Sequence, residues 1–286
     1  MENAIEVKNL RKEYNNFCLK DISFAVPTGS IVGFVGENGA GKTTTIKSML
    51  DIVHKDAGSI TLLGHDSTDV AAAHADVGVV FDESSFNFLI TATQVGNIFK
   101  NVYKTWDAAY YQELLHRFGL GTGKKDIIKN YSRGMKMKLS LAVALAHRPK
   151  LLILDEATSG LDPVVRDEIL DLFLEFIQDE QHSILFSSHI TSDIEKAADY
   201  IVFIHQGEII LNAPKDELLS MYGVVHCSKQ MLQQINPALV VGMREGQFGV
   251  EALVNNRTAL TATDEMLVEK ASIDDIMLYT IRGNRP

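Results

Sequence analysis

Eight consecutive residues, Gly36-Glu37-Asn38-Gly39-Ala40-Gly41-Lys42-Thr43, constrain this chain more than any other stretch of it. They match the pattern G-x-x-x-x-G-K-[ST] in full. Glycines at these places let the backbone fold so tightly that successive N–H groups point at one bound anion. A helix starting near Lys42 adds about half a positive charge at its N-terminus. The candidate phosphate contacts are therefore Gly36, Asn38, Gly39, Ala40, Gly41, Lys42, Thr43 and Thr44. Lys42 can reach β- and γ-phosphate oxygens, the Thr43 hydroxyl can ligate Mg²⁺, and Thr44 can donate to a further phosphate oxygen. The context is the one the motif needs, with an apolar run, Ile31–Val35, before it and a helical stretch, Lys42–Ile52, after it. The dinucleotide pattern G-x-G-x-x-G does not occur, so a nicotinamide or flavin cofactor has no support.

A second constraint is the run Leu151-Leu152-Ile153-Leu154-Asp155-Glu156, an apolar strand ending in two carboxylates. In an open α/β sheet the C-terminal ends of buried strands face the ligand crevice. Asp155 is placed to hold Mg²⁺, and Glu156 to orient and activate an attacking water. Strand-like runs at Ile5–Val7, Leu19–Val26, Ile60–Leu63, Val77–Phe81 and Ile184–Phe186 alternate with helical stretches at Trp106–Phe118, Ser132–His147 and Val164–Ile177. That alternation predicts a mostly parallel, covered sheet. Trp106, Tyr110, Leu114 and Phe118 recur every fourth residue as a core stripe, and Tyr200–Ile204 with Glu208–Leu211 reads as a closing hairpin. Beyond about residue 217 come short strands at Val224–Cys227, Leu239–Val241 and Val250–Val254, then a helix from the capping signal Ser272-Ile273-Asp274-Asp275 to Gly283.

With these motifs in this order, residues 3–216 resemble the ATP-binding subunits of ABC transporters. Ala157-Thr158-Ser159-Gly160-Leu161-Asp162-Pro163 is similar to the family's dimer-contact loop, and His189 to its switch histidine beside the γ-phosphate. Tyr14 looks like the aromatic that stacks on adenine, and Tyr131-Ser132-Arg133-Gly134-Met135 like a divergent signature segment. The resemblance implies that Ser132 and Gly134 bind the ATP of an opposite subunit. Where the family usually carries a metal-contacting glutamine, this chain has Asp82, with Glu83 beside it. A carboxylate there can still ligate Mg²⁺.

The implied fold is an α/β P-loop NTPase (RecA-like), with a mostly parallel sheet and an N-terminal antiparallel β subdomain. An ATP-binding domain would span residues 1–216, with an inserted helical subdomain at about 84–148. A small α+β extension would occupy residues 217–286. The implied activity is ATP hydrolysis with Mg²⁺, in a homodimer or with a paralogous ATPase, beneath a separate membrane permease. Residues near 84–110 would press on that permease from the cytoplasmic face. The tail resembles an extension found on a branch of bacterial exporters that includes bacitracin- and lantibiotic-type export ATPases.

Bulk properties exclude some rivals. No apolar run approaches the roughly 20 residues that span a bilayer, and the opening residues lack a secretory layout. Cys18 and Cys227 have no metal-ligand spacing and read as free thiols of a reducing compartment. A formal charge of −10 argues against a nucleic-acid partner. A soluble ABC-type ATPase acting on nucleic acid or ribosomes usually carries coiled-coil insertions or two cassettes, and neither is present. A P-loop kinase is the third reading, but adjacent Asp155 and Glu156 with His189 suit water activation better than delivery of an acceptor hydroxyl.

Overall fold

The computed structural model describes residues 2–82, 86, 89–121, 126–246, 249–263 and 265–283. Strands β1 (Asn3–Tyr14) and β2 (Phe17–Pro27) form an antiparallel pair, with Val7 opposite Phe24 and Leu10 opposite Ile22. One face is buried and one is wet, so side chains alternate. Ile5 and Val7 are odd-numbered and Leu10 even, yet all three are buried. The register slips on both sides of Leu10, which restores that residue to the core face.

β3 (Ile31–Val35) is buried at every position and leads through the phosphate loop into α1 (Lys42–Met49), three residues shorter than the expected helix. β4 (Ala57–Leu62) turns back against β1, and β5 (His65–Asp66) completes a sheet of order β2-β1-β4-β5. After α2 (Val70–Ala73) and β6 (Val77–Val80) come the helices α3 (Ala92–Phe99), α4 (Ala108–Arg117) and α5 (Arg133–Ala146). Thr91, Asp107 and Ser132 cap these three by accepting a backbone N–H in each first turn. The every-fourth-residue stripe is only partly the buried seam. α4 buries Tyr111, Leu114 and Leu115, whereas Tyr110 and Phe118 are half-buried and Trp106 precedes the helix beside Phe99 and Tyr103. At 3.6 residues per turn, a strict spacing of four drifts off the core face.

β7 (Leu151–Asp155), α6 (Pro163–Phe176), β8 (Ser183–Ser188), α7 (Thr191–Ala197), β9 (Tyr200–His205) and β10 (Glu208–Pro214) complete a second sheet, of order β10-β9-β3-β8-β7-β6. Its pairs are parallel except the β9–β10 hairpin. Successive strand residues point to opposite faces. Leu151 and Ile153 pack toward the N-terminal sheet and α1, while Leu152 and Leu154 pack toward α5 and α6. Burial on both sides explains why this strand is continuously apolar.

The remaining elements are α8 (Lys215–Met221), β11 (Gly223–Cys227), α9 (Lys229–Leu232), β12 (Val240–Glu245), β13 (Val250–Val254), β14 (Met266–Lys270) and α10 (Ile273–Arg282). Their antiparallel sheet has the order β12-β13-β11-β14. One face, with Val225, Ala252 and Val254, closes a small core of its own. The other, with Val224 and Leu253, joins the main core alongside Ile273, Ile276 and Tyr279 of α10. Among the described residues no helix is long and apolar enough to cross a membrane.

Candidate functional site

β3, β8 and β7 are parallel neighbours, so the segments leaving their C-terminal ends meet. Register places Val35 beside Ser188 and Asp155 beside Ser187. The phosphate loop after β3 turns through Gly39 (φ 82°) and Gly41 (φ 117°), a left-handed region that glycine enters without steric cost. Its outer wall is braced where the Gly207 N–H donates to the Ala40 carbonyl at 3.0 Å. Gly36 is fixed by space instead, since a Cβ there would lie 2.4 Å from the Ile204 carbonyl oxygen. We expect Gly36→Ala to weaken ATP binding by about tenfold in a nucleotide titration. An unchanged affinity would show that the loop tolerates the shift.

Lys42 is 5% exposed, and its ammonium donates to the carbonyls of Gly36 at 2.6 Å and Glu37 at 3.2 Å. The same nitrogen lies 3.0 Å from Glu156 Oε1. Glu156 Oε2 is 2.7 Å from His189 Nδ1, so one carboxylate joins the lysine of the first loop to the histidine after β8. Glu156 has φ 54°, unusual for a residue with a Cβ, and such geometry costs on the order of 1–3 kcal/mol. That backbone turn is held because the Glu156 N–H donates to Ser187 Oγ at 3.0 Å. Ser187 Oγ in turn donates to Asp155 Oδ1 at 2.7 Å, which fixes a carboxylate that is 4% exposed. Ser187 thus orients both acids. Its role depends on which strand lies beside β7, so the run of residues around it does not disclose it.

Asn16, Phe17, Glu37, Asn38, Gly39, Gly41, Lys42, Thr43, Thr44 and Glu156 line a pocket of about 560 Å³. The groups fit a magnesium nucleotide. A basic side chain and the start of α1 face the same space, and Thr43 and Asp155 offer the hard oxygens magnesium prefers. Glu156 Oε1 is buried with no aligned hydrogen-bond donor among the described residues, and its charged neighbour is the Lys42 ammonium at 3.0 Å.

Asp155 and His189 reach this pocket only through Glu156 and Ser187, and Tyr14, Asp82, Ser132 and Gly134 stand apart from it. Tyr14 is 48% exposed at the end of β1, outside the lining residues, and the aromatic in the wall is Phe17. Asp82 does not reach the pocket because its carboxylate is bound by the Arg133 guanidinium. Glu83 lies outside the described residues. Arg133 also lies against Gly160, where a Cβ would come within 2.8 Å of its Nη1. The two departures from the family pattern are therefore each other's partners, which no local reading of either segment could show. Ser132 caps α5 and Gly134 is buried beside Val165, and neither lines the pocket of its own chain.

A parallel sheet with a phosphate loop on its central strand and an acidic pair on a near neighbour defines a P-loop ATPase. The chain matches the ABC transporter family over residues 19–159. It is 33% identical to the bacitracin transport ATP-binding protein BcrA of Enterococcus faecalis, over 76% of this chain and 71% of that one. It is also 33% identical to the lantibiotic transport ATP-binding protein SrtF of Streptococcus pyogenes, over 74% of this chain and 91% of that one. A solved ATP-binding subunit of an ABC transporter superposes with a TM-score of 0.66 at 27% identity, covering 75% of this chain and 91% of its own. The chain belongs to the ATP-binding proteins of ABC transporters, and it is an ATP-binding, ATP-hydrolysing subunit of that family.

Proposed function

We propose that this subunit drives an exporter by closing with a second ATPase copy, identical or paralogous, around two Mg·ATP. The observation that carries this reading is the joined set Lys42–Glu156–His189, with Asp155 held beside it by Ser187. Lys42 and the phosphate-loop amides neutralise the triphosphate, and Thr43 and Asp155 would hold magnesium, which would offset the negative charge on the β- and γ-phosphates. Glu156 takes a proton from the attacking water, while His189 fixes its carboxylate. Tyr14, at the end of β1 and outside the pocket lining, would offer its face to adenine. Asp82 would have to release Arg133 before it could contribute an oxygen to that magnesium.

Ser132 and Gly134 act on the ATP of the opposite copy, where the start of α5 presents free N–H groups to a γ-phosphate. Val164, 68% exposed beside Asp162 and Pro163, lies on the surface that meets this copy. Residues 1–216 form the ATP-binding unit and 217–286 an extension. The outward direction is our inference from the likeness to the bacitracin and lantibiotic transport proteins.

A membrane permease docks on the helical part. Leu89, Ile98 and Val102 are 72%, 51% and 63% exposed there, a concentration of large apolar side chains that favours an apolar partner surface. The subunit would then work at the cytoplasmic face of the membrane. The test is fractionation of cells that express the whole transporter. Wild-type chain should sediment with membranes, and Ile98→Glu/Val102→Glu should be lost from them with ATP binding intact. Retention of that variant on membranes, or recovery of the wild type with nucleic acid, would contradict the docking assignment.

A further inference from the structure

Helix α10 of the C-terminal segment is bonded to α7, the helix that begins two residues after His189. The Thr191 hydroxyl donates to Asp274 Oδ1 at 3.3 Å. Glu195 Oε1 accepts the Ile273 N–H at 2.6 Å. That amide opens α10 and has no intrahelical acceptor, so the Glu195 carboxylate sits at the positive end of the helix. Below these bonds Ile194 and Ala197 share one buried cluster with Ile273 and Ile276.

The two helices differ in self-sufficiency. α10 closes its own first turn with the Ser272–Asp275 capping box. α7 has Ile190 at its cap position and no side-chain cap bond. Its placement depends on neighbours, and they divide by face. Thr191 and Glu195, four residues apart, look toward α10. Asp193 and Lys196, three apart, look toward α6, with Arg166 Nε at 3.5 Å from Asp193 and Lys196 Nζ at 2.5 and 3.0 Å from Asp167 and Asp171. Ile194 packs against Gly33 of β3, where an added Cβ would come within 2.8 Å of its Cδ1.

We propose that the C-terminal segment is a positioning element for hydrolysis. Asp274 and the Ile273 amide set α7, and α7, through the single residue Ile190, holds His189 against Glu156. This rests on the role assigned to His189 above. Of the groups that form the nucleotide pocket, none lies on α7 or α10. Loss of the grip should therefore slow the chemical step and leave nucleotide affinity alone.

The experiment compares phosphate release by the full chain in its transporter for wild type, Glu195→Ala/Asp274→Ala, and Thr191→Val. Both variants should lower kcat, the double variant by about tenfold, as a misplaced catalytic group does, with KM for ATP nearly unchanged. Glu195→Gln, which keeps an oxygen able to accept the Ile273 N–H, should retain most of the kcat that Glu195→Ala/Asp274→Ala loses. In a His189→Ala background the tail substitutions should cost nothing further, since they act through that histidine. A kcat equal to wild type, a parallel loss of kcat and ATP binding, or an additive loss on His189→Ala would each overturn the proposal. If the wild type itself releases no phosphate, the failure lies with the hydrolytic site and not with the tail.

Discussion

Glu156→Gln is expected to lower the rate of ATP splitting by roughly 10²- to 10⁴-fold while ATP still binds, the range a positioned base contributes. The amide keeps the shape of the side chain and can still meet His189, which lies 2.7 Å from Oε2 in the native protein. It cannot take a proton from water. It also removes the negative charge 3.0 Å from Lys42 Nζ, which leaves the ammonium freer to meet phosphate. Binding should therefore hold or tighten as hydrolysis fails. Single-turnover phosphate release beside a nucleotide titration separates the two, and a turnover within a few-fold of wild type would assign the base elsewhere.

Lys42→Ala is expected to produce the opposite pattern, loss of binding itself. Charge-assisted hydrogen bonds are worth about 1.5–3 kcal/mol each, so removing one ammonium from the triphosphate should weaken ATP by about 10- to 150-fold. A structural cost comes with it. The Glu156 side chain is 14% exposed and would lose its cation, and an uncompensated buried charge destabilises a fold. Lys42→Ala should therefore melt below wild type, and adding Glu156→Gln should recover part of that loss. If the double variant melts lower still, the Lys42–Glu156 pair is not what sets the stability of this loop.

Some of this was readable from the chain because the chemistry is local. The phosphate loop, the strand ending in Asp155-Glu156 and the caps at Ser132 and Ser272 each state their geometry within a few residues. Continuous burial of β3 and β7 follows from runs with no polar alternation. What escaped was non-local. Ser187 matters because β8 lies beside β7, and Asp82 is diverted because Arg133 folds back onto it from 51 residues away. α8 and β14 were missed because they are short. Lys215–Met221 and Met266–Lys270 carry too few apolar residues to declare a period, and they hold their form by packing. In the same way nothing in Thr191, Glu195 or Asp274 announces a contact across about 80 residues.

The most direct test is a crystal structure of Glu156→Gln grown with Mg·ATP. It should show Lys42 Nζ withdrawn from the Gly36 carbonyl and set against the β- and γ-phosphates, and magnesium between Thr43 and Asp155. Ser132 of a second copy should meet the γ-phosphate. A triphosphate bound away from Lys42, or one enclosed by a single copy with Ser132 remote, would contradict the mechanism at its centre.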